Sequence, residues 1–219
     1  MTKIQISIIL FFGLTIFSCK QTSTKQDNCV VQDSITMLLN NALTCDTLEF
    51  NNQFSLDNYK NFLFFKSGYI INKSNKNALA VFCPTDTTYT VRLYAIDNNN
   101  WGIVDSVNSI DAYPSQFYVT FDDYNFDNQL DIYINVSASN GWSLSRGHLL
   151  IIEPLTQKIH QHKEARDLAN MRLDKKTNIV FSETWNGFNL KNQHELTVYK
   201  NKWIGGKLKT VAQKDSTYK

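Results

Sequence analysis

The sequence predicts a mainly β protein, an antiparallel meander with one or two short helices. Three observations carry that expectation. Tyr, Phe, Ile and Val are plentiful from residue 77 onward, and these are the residues that suit a pleated, half-buried surface. Short apolar or alternating runs recur through that stretch. Turn residues punctuate the runs: Pro84, Asp97-Asn98-Asn99-Asn100, Pro114, Asn140-Gly141, Pro154, Asn186-Gly187 and Gly205-Gly206. Strands spaced in this way are those of a meander.

The chain starts with one positive charge, Lys3, followed by an apolar run from Ile4 to Phe17 that is too short to span a bilayer as a stable helix. The run ends Ile16-Phe17-Ser18-Cys19: an apolar residue, any residue, a small residue and a cysteine. This resembles the bacterial lipobox. The resemblance implies that residues 1–18 are a lipoprotein signal peptide and that Cys19 is acylated, palmitate included, and becomes the new first residue. Two or three acyl chains anchor stably where one does not. The expected location is therefore the cell envelope, on a bacterial membrane, with the outer membrane favoured and either its periplasmic or its surface side open. Residues 19–28 are polar after the cysteine and lack apolar periodicity, so they read as a flexible tether. Residues 29–219 are long enough for a single domain with its own core.

Within that domain, Asp33-Ser34 can cap a short helix through about Leu43, with Ile35, Leu38, Leu39 and Ala42 on one face. Phe62 to Ile71 is apolar and fits either helix or strand. Strands are expected over Ala78–Phe82, Tyr89–Ile96, Trp101–Val107, Gln116–Phe121, Leu130–Val136, Gly147–Ile152, Asn178–Trp185, Glu195–Tyr199 and Lys207–Val211. A second short helix is expected around Lys163 to Met171. Of the cysteines besides Cys19, Cys83 lies in an apolar run and reads as a buried thiol. Export allows a disulfide, for which Cys29 with Cys45 is the first pairing.

The formal net charge of +2 says little about partners, but its distribution says more. No Lys or Arg stands between Arg92 and Arg146, a stretch that holds Asp97, Asp105, Asp111, Asp122, Asp123, Asp127 and Asp131. These negative charges call either for a bound cation or for solvated turns. No nucleic-acid motif is present, and export argues against such a partner.

The stretch Asp123-Tyr124-Asn125-Phe126-Asp127-Asn128-Gln129-Leu130-Asp131 carries side-chain oxygens at its positions 1, 3, 5 and 9. Gln129, at position 7, would add a backbone carbonyl. Calcium takes six to eight hard oxygens, and this spacing curls them about one point. Position 6 needs a left-handed turn, and Asn128 stands there in place of the usual Gly. Position 12 is Ile134, so the bidentate Glu of an EF-hand is missing. The alternation of Leu130, Ile132, Ile134 and Val136 then runs the loop straight into a strand. Weak affinity follows, on the order of 10⁻⁴–10⁻³ M.

From about Phe117 to the C-terminus the chain resembles a family of bacterial cell-envelope β-proteins related to periplasmic inhibitors of invertebrate-type lysozyme. Some members are immunity proteins against peptidoglycan hydrolases. The resemblance rests on the aspartate loop followed by a strand and a Gly-Trp turn. It extends to Leu149-Leu150-Ile151-Ile152, the turn near Leu155-Thr156, and Ile179-Val180-Phe181-Ser182. It implies a β-propeller-like fold, one calcium and a binding function without catalysis. The loop alone also resembles integrin-type FG-GAP repeats, which implies the alternative of an adhesion or envelope-structural module. Such a propeller should repeat the aspartate loop in several blades, and this sequence holds one copy.

Ser139-Asn140-Gly141-Trp142 follows the strand that leaves the aspartate loop. Small polar residues with Trp suit a partner-binding loop, and they equally suit a hairpin whose Trp packs on the sheet. His160 and His162, two apart, would share a strand face as half of a zinc site, but no third ligand stands at a convincing spacing, so exposed histidines in a turn is the favoured reading. Ser143 and Ser145 lack a nucleophile elbow. Glu153, Glu164, Glu183 and Glu195 could pair only through the fold. The composite expectation is a lipid-anchored, calcium-binding β-domain that is not an enzyme and that binds a peptidoglycan hydrolase or lysozyme.

Overall fold

A computed structural model describes residues 23–53, 59–85, 87–139, 144–153 and 155–218. Three antiparallel sheets follow one helix. The helix, α1, spans Ser23–Thr44. The first sheet runs β1 (Leu48–Asn51), β2 (Leu63–Gly68), β3 (Asn77–Thr85), β4 (Thr88–Asp97) and β5 (Asn100–Asp111). The second runs β6 (Val119–Asp122), β7 (Asp131–Ser139), β8 (Leu144–Ile152) and β9 (Ile159–His162). The third runs β10 (Ala169–Asp174), β11 (Ile179–Phe188), β12 (His194–Ile204) and β13 (Lys207–Tyr218). Within each sheet, strands that follow one another in the chain are neighbours. The expected meander is therefore present three times over. The described strands close neither a barrel nor a propeller ring.

Side-chain alternation stacks these parts into layers. Leu63, Phe65, Ala78, Ala80 and Phe82 of the first sheet pack against Val31, Ile35, Leu38 and Ala42 of α1. The residues between them, Phe64, Leu79 and Val81, turn the other way and meet Ile132, Ile134, Leu150 and Ile152 of the second sheet. Phe117 enters this core among Phe62, Phe64 and Tyr89, with its ring 4.8 Å from that of Phe62. On the far face of the second sheet, Tyr133, Leu149 and Ile151 pack with Ala165 and with Met171, Leu173 and Trp203 of the third. The layer order is thus helix, first sheet, second sheet, third sheet.

Several expectations are corrected by these contacts. α1 begins at Ser23 rather than at Asp33, and so takes in part of the segment read as a tether. Its buried stripe also starts earlier, at Val31, one turn before Ile35. A disulfide between Cys29 and Cys45 does not form, and Cys45 is a free, exposed thiol. The helix runs from Cys29 to Thr44, the residue before Cys45, and separates those Cα atoms by roughly 22 Å, whereas a disulfide needs about 4.4–6.8 Å. Cys83 is buried, as expected. The second helix, expected over Lys163 to Met171, is instead a 3-10 helix at Lys163–Asp167 followed by β10. Asn170, at φ +50°, cannot continue a helix. The ambiguous Phe62–Ile71 run supplies β2, which is buried on both faces and so shows no alternation. His160 and His162 lie in a strand, β9, rather than a turn.

Candidate calcium loop and histidine cleft

The aspartate loop joins β6 to β7, which pair up to Asp122 opposite Asp131. Its carboxylates fold the backbone around themselves. Asp123 accepts the Asp127 N–H on Oδ1 and the Asn128 N–H on Oδ2, each at 2.9 Å. Asn125 Oδ1 also accepts the Asp127 N–H, at 3.1 Å, while its Nδ2 donates to Asp127 Oδ2 at 2.9 Å. Asp127 Oδ1 takes the Gln129 N–H at 2.8 Å. Asn128 has φ +68°, the left-handed conformation expected at position 6. Phe126 shares it at φ +64°, a position the sequence did not mark and an uncommon one for a bulky residue.

Asp131 is the buried end of the loop, with no exposed surface. Its Oδ2 accepts the N–H groups of Tyr124 and Asn125, and its Oδ1 accepts that of Ile152 in β8, at 3.1 Å. Burial pushes this carboxyl up to about 7, while the Ile152 and Tyr124 N–H groups pull the other way. The loop also ties the second and third sheets to the connection between β2 and β3. The Leu130 N–H donates to Ile71 O just beyond β2 at 2.9 Å, and Trp203 Nε1 of β12 donates to Tyr124 O at 2.7 Å.

The donor set fits calcium in kind. Asp123, Asn125 and Asp127 offer hard oxygens at one mouth. Each carboxylate oxygen of Asp123 and Asp127 that takes one N–H keeps a second lone pair. The Gln129 backbone carbonyl remains the expected position 7 oxygen, and the Gln129 side-chain Oε1 is buried without a hydrogen-bond partner, an acceptor that the sequence did not single out. Asp131 has less to offer, since its Oδ2 already takes two N–H groups. Among the described residues, no group of three or more His, Cys, Asp or Glu is arranged to hold a metal as it stands. A calcium set here would be completed by an amide and a backbone carbonyl.

Beside the loop lies a cleft of about 630 Å³ lined by Asn125, Glu153, His160, His162, Glu164 and Lys207, among others. The fold therefore brings two of the four singled-out carboxylates, Glu153 and Glu164, next to both histidines. The other two lie on the third sheet, where Glu183 pairs with Arg172 at 2.5 Å. Sequence alone did not reveal this cleft, because its histidines and glutamates meet only once β9 lies along β8. Ser145 Oγ donates to Asn135 Oδ1 and meets the Tyr118 hydroxyl, each at 2.6 Å, within a polar network. Of the expected partner loop, Ser139 ends β7 opposite Leu144, while Asn140, Gly141 and Trp142 lie outside the described residues, as do Ser143 and Cys19.

In comparisons with known proteins, no family model matches the chain and no curated protein does.

Proposed function

We propose that this chain is a lipid-anchored envelope domain that holds calcium in its aspartate loop and blocks a peptidoglycan hydrolase or lysozyme without catalysing a reaction itself. The observation that carries the calcium part is the loop's place and chemistry. Three side-chain oxygen donors and an orphaned Gln129 Oε1 gather in a loop hydrogen-bonded to the second and third sheets and to the β2–β3 connection. A cation there would tie the layers together and fix β7, the strand leading to Ser139 and Trp142. A loop ordered in advance loses less entropy on binding a partner. The inhibitor part rests on the resemblance described above. Three successive antiparallel meanders packed face to face support the propeller-like reading. Anchoring through Cys19 rests on the lipobox.

The test is an assay of several lysozymes and envelope hydrolases with the purified protein, with and without calcium. Inhibition that calcium strengthens and that Trp142→Ala weakens is the expected result. No inhibition at micromolar, folded, calcium-loaded protein moves the reading to an FG-GAP-type structural module. For the anchor, labelled palmitate should appear on the wild type and be absent from Cys19→Ala.

A further inference from the structure

We propose that the cleft between β9 and the β12–β13 turn is a transition-metal site, taking a zinc-class dication on His160, His162 and Glu153. Its ligands differ from those of the oxygen-lined loop, which borders the cleft through Asn125, and it does not depend on the inhibitor reading.

Residues two apart on a strand share a face, so β9 presents His160 and His162 to one side. That side is the one carrying their β8 partners Ile151 and Leu149, and it faces the third sheet. The two imidazoles are held differently. His162 is the fixed half. Its Nδ1 lies 3.2 Å from Glu164 Oε1, and its ring stands edge-on to Trp203 at 4.9 Å and 88°. Trp203 is in turn tied to Tyr124 O, and Glu164 also accepts the Leu208 N–H. A carboxylate accepting from Nδ1–H puts that ring's lone pair on Nε2. Metal-binding histidines are commonly oriented by a carboxylate in this way.

His160 is the adjustable half. Its Nε2 lies 3.9 Å from Glu153 Oε2, and these side chains are 58% and 46% exposed. Two imidazoles and one carboxylate are the donor set of an open zinc site with water in the fourth place. No such trio converges on one point among the described residues as they stand. Closing the site requires His160 and Glu153, both at the surface, to rotate toward the held His162, with Glu153 Oε2 giving up the hydrogen bond it accepts from the Thr156 hydroxyl. Lys207 also borders the cleft, and its exposed, flexible side chain can keep its ammonium in water. Imidazole nitrogens suit zinc, copper and nickel, while hard oxygens suit calcium, so the two cations sort between cleft and loop.

The experiment is a zinc titration into the purified full chain in excess calcium, read by calorimetry and repeated with cobalt(II) to follow the visible band of nitrogen ligation. The expected result is one equivalent of zinc at micromolar affinity, lost in His160→Ala and in His162→Ala and unchanged in His194→Ala. Glu164→Gln should weaken binding roughly 10–100-fold, as loss of an orienting partner does. Should His162→Ala fail to fold, the exposed His160→Ala carries the test. Absence of saturable zinc binding, or binding that persists unchanged in a folded His160→Ala variant, overturns the proposal.

Discussion

At the scale of single residues, the aspartate loop is shaped by backbone conformation as much as by its acids. Asn128 is exposed, so its contribution is conformational: a left-handed backbone that Asn tolerates and β-carbon-bearing apolar residues do not. Asn128→Ala should lower stability by about 1 kcal/mol, and Asn128→Gly should leave it near the wild type. Urea unfolding of the two variants checks this, and equal midpoints would show that the side chain matters in some other way. The sequence made this residue legible, because a loop of this spacing needs a left-handed sixth position. The same conformation at Phe126 was not legible, since nothing in a Phe residue marks a left-handed turn. The hydrogen bonds that consume Asp131 were hidden as well, because Ile152 joins them from a strand that is remote in the sequence.

At the scale of elements, alternation reveals strands covered on one face and fails for those covered on both. β3 is buried along nearly its whole length, between α1 and the second sheet, and it was legible through its apolar run Ala78–Phe82, although the strand continues through Pro84 to Thr85. β2 lies in an apolar run that fits either helix or strand, and it stayed ambiguous. β1, β9 and β10 were missed because short strands with few apolar residues acquire their structure from neighbours already in place. α1 shows the converse: its apolar stripe was readable, but its start was not. The helix covers the outer face of the first sheet, and Ile35 sits fully buried at the centre of that contact. Ile35→Ala should destabilise by about 2–5 kcal/mol. A loss well below that range in chemical denaturation would mean that α1 docks only loosely on the sheet.

For the molecule as a whole, the question is what holds the layers to one another. One link is His148 of β8, which is 5% exposed. Gln161 Nε2 donates to its Nδ1, so Nε2–H is the donor to Asp111 O at the end of β5, at 3.0 Å. A neutral ring thus bridges the second sheet to the first. Burial pushes its pKa down to about 4, with nearby Arg166 pushing the same way and the Asp111 carbonyl and charge opposing. The unfolded chain, with a histidine near 6.5, therefore binds more protons between those two values. Stability from this group is complete above about pH 6.5 and is lost as the pH falls toward 4, up to about 3 kcal/mol. His148→Gln should flatten that slope, and parallel stability curves for variant and wild type between pH 7 and 5 would contradict it. The other link is the aspartate loop, which is hydrogen-bonded to the second and third sheets and to the β2–β3 connection, and whose proposed cation would bind only the folded arrangement. Calcium at ten times its dissociation constant should then stabilise by about 1.4 kcal/mol. The most direct measurement is thermal unfolding of the purified protein in chelator and in millimolar calcium, alongside Asp127→Asn. A higher melting temperature with calcium, absent in the variant, is the predicted result; identical melts of the wild type in both conditions would contradict it.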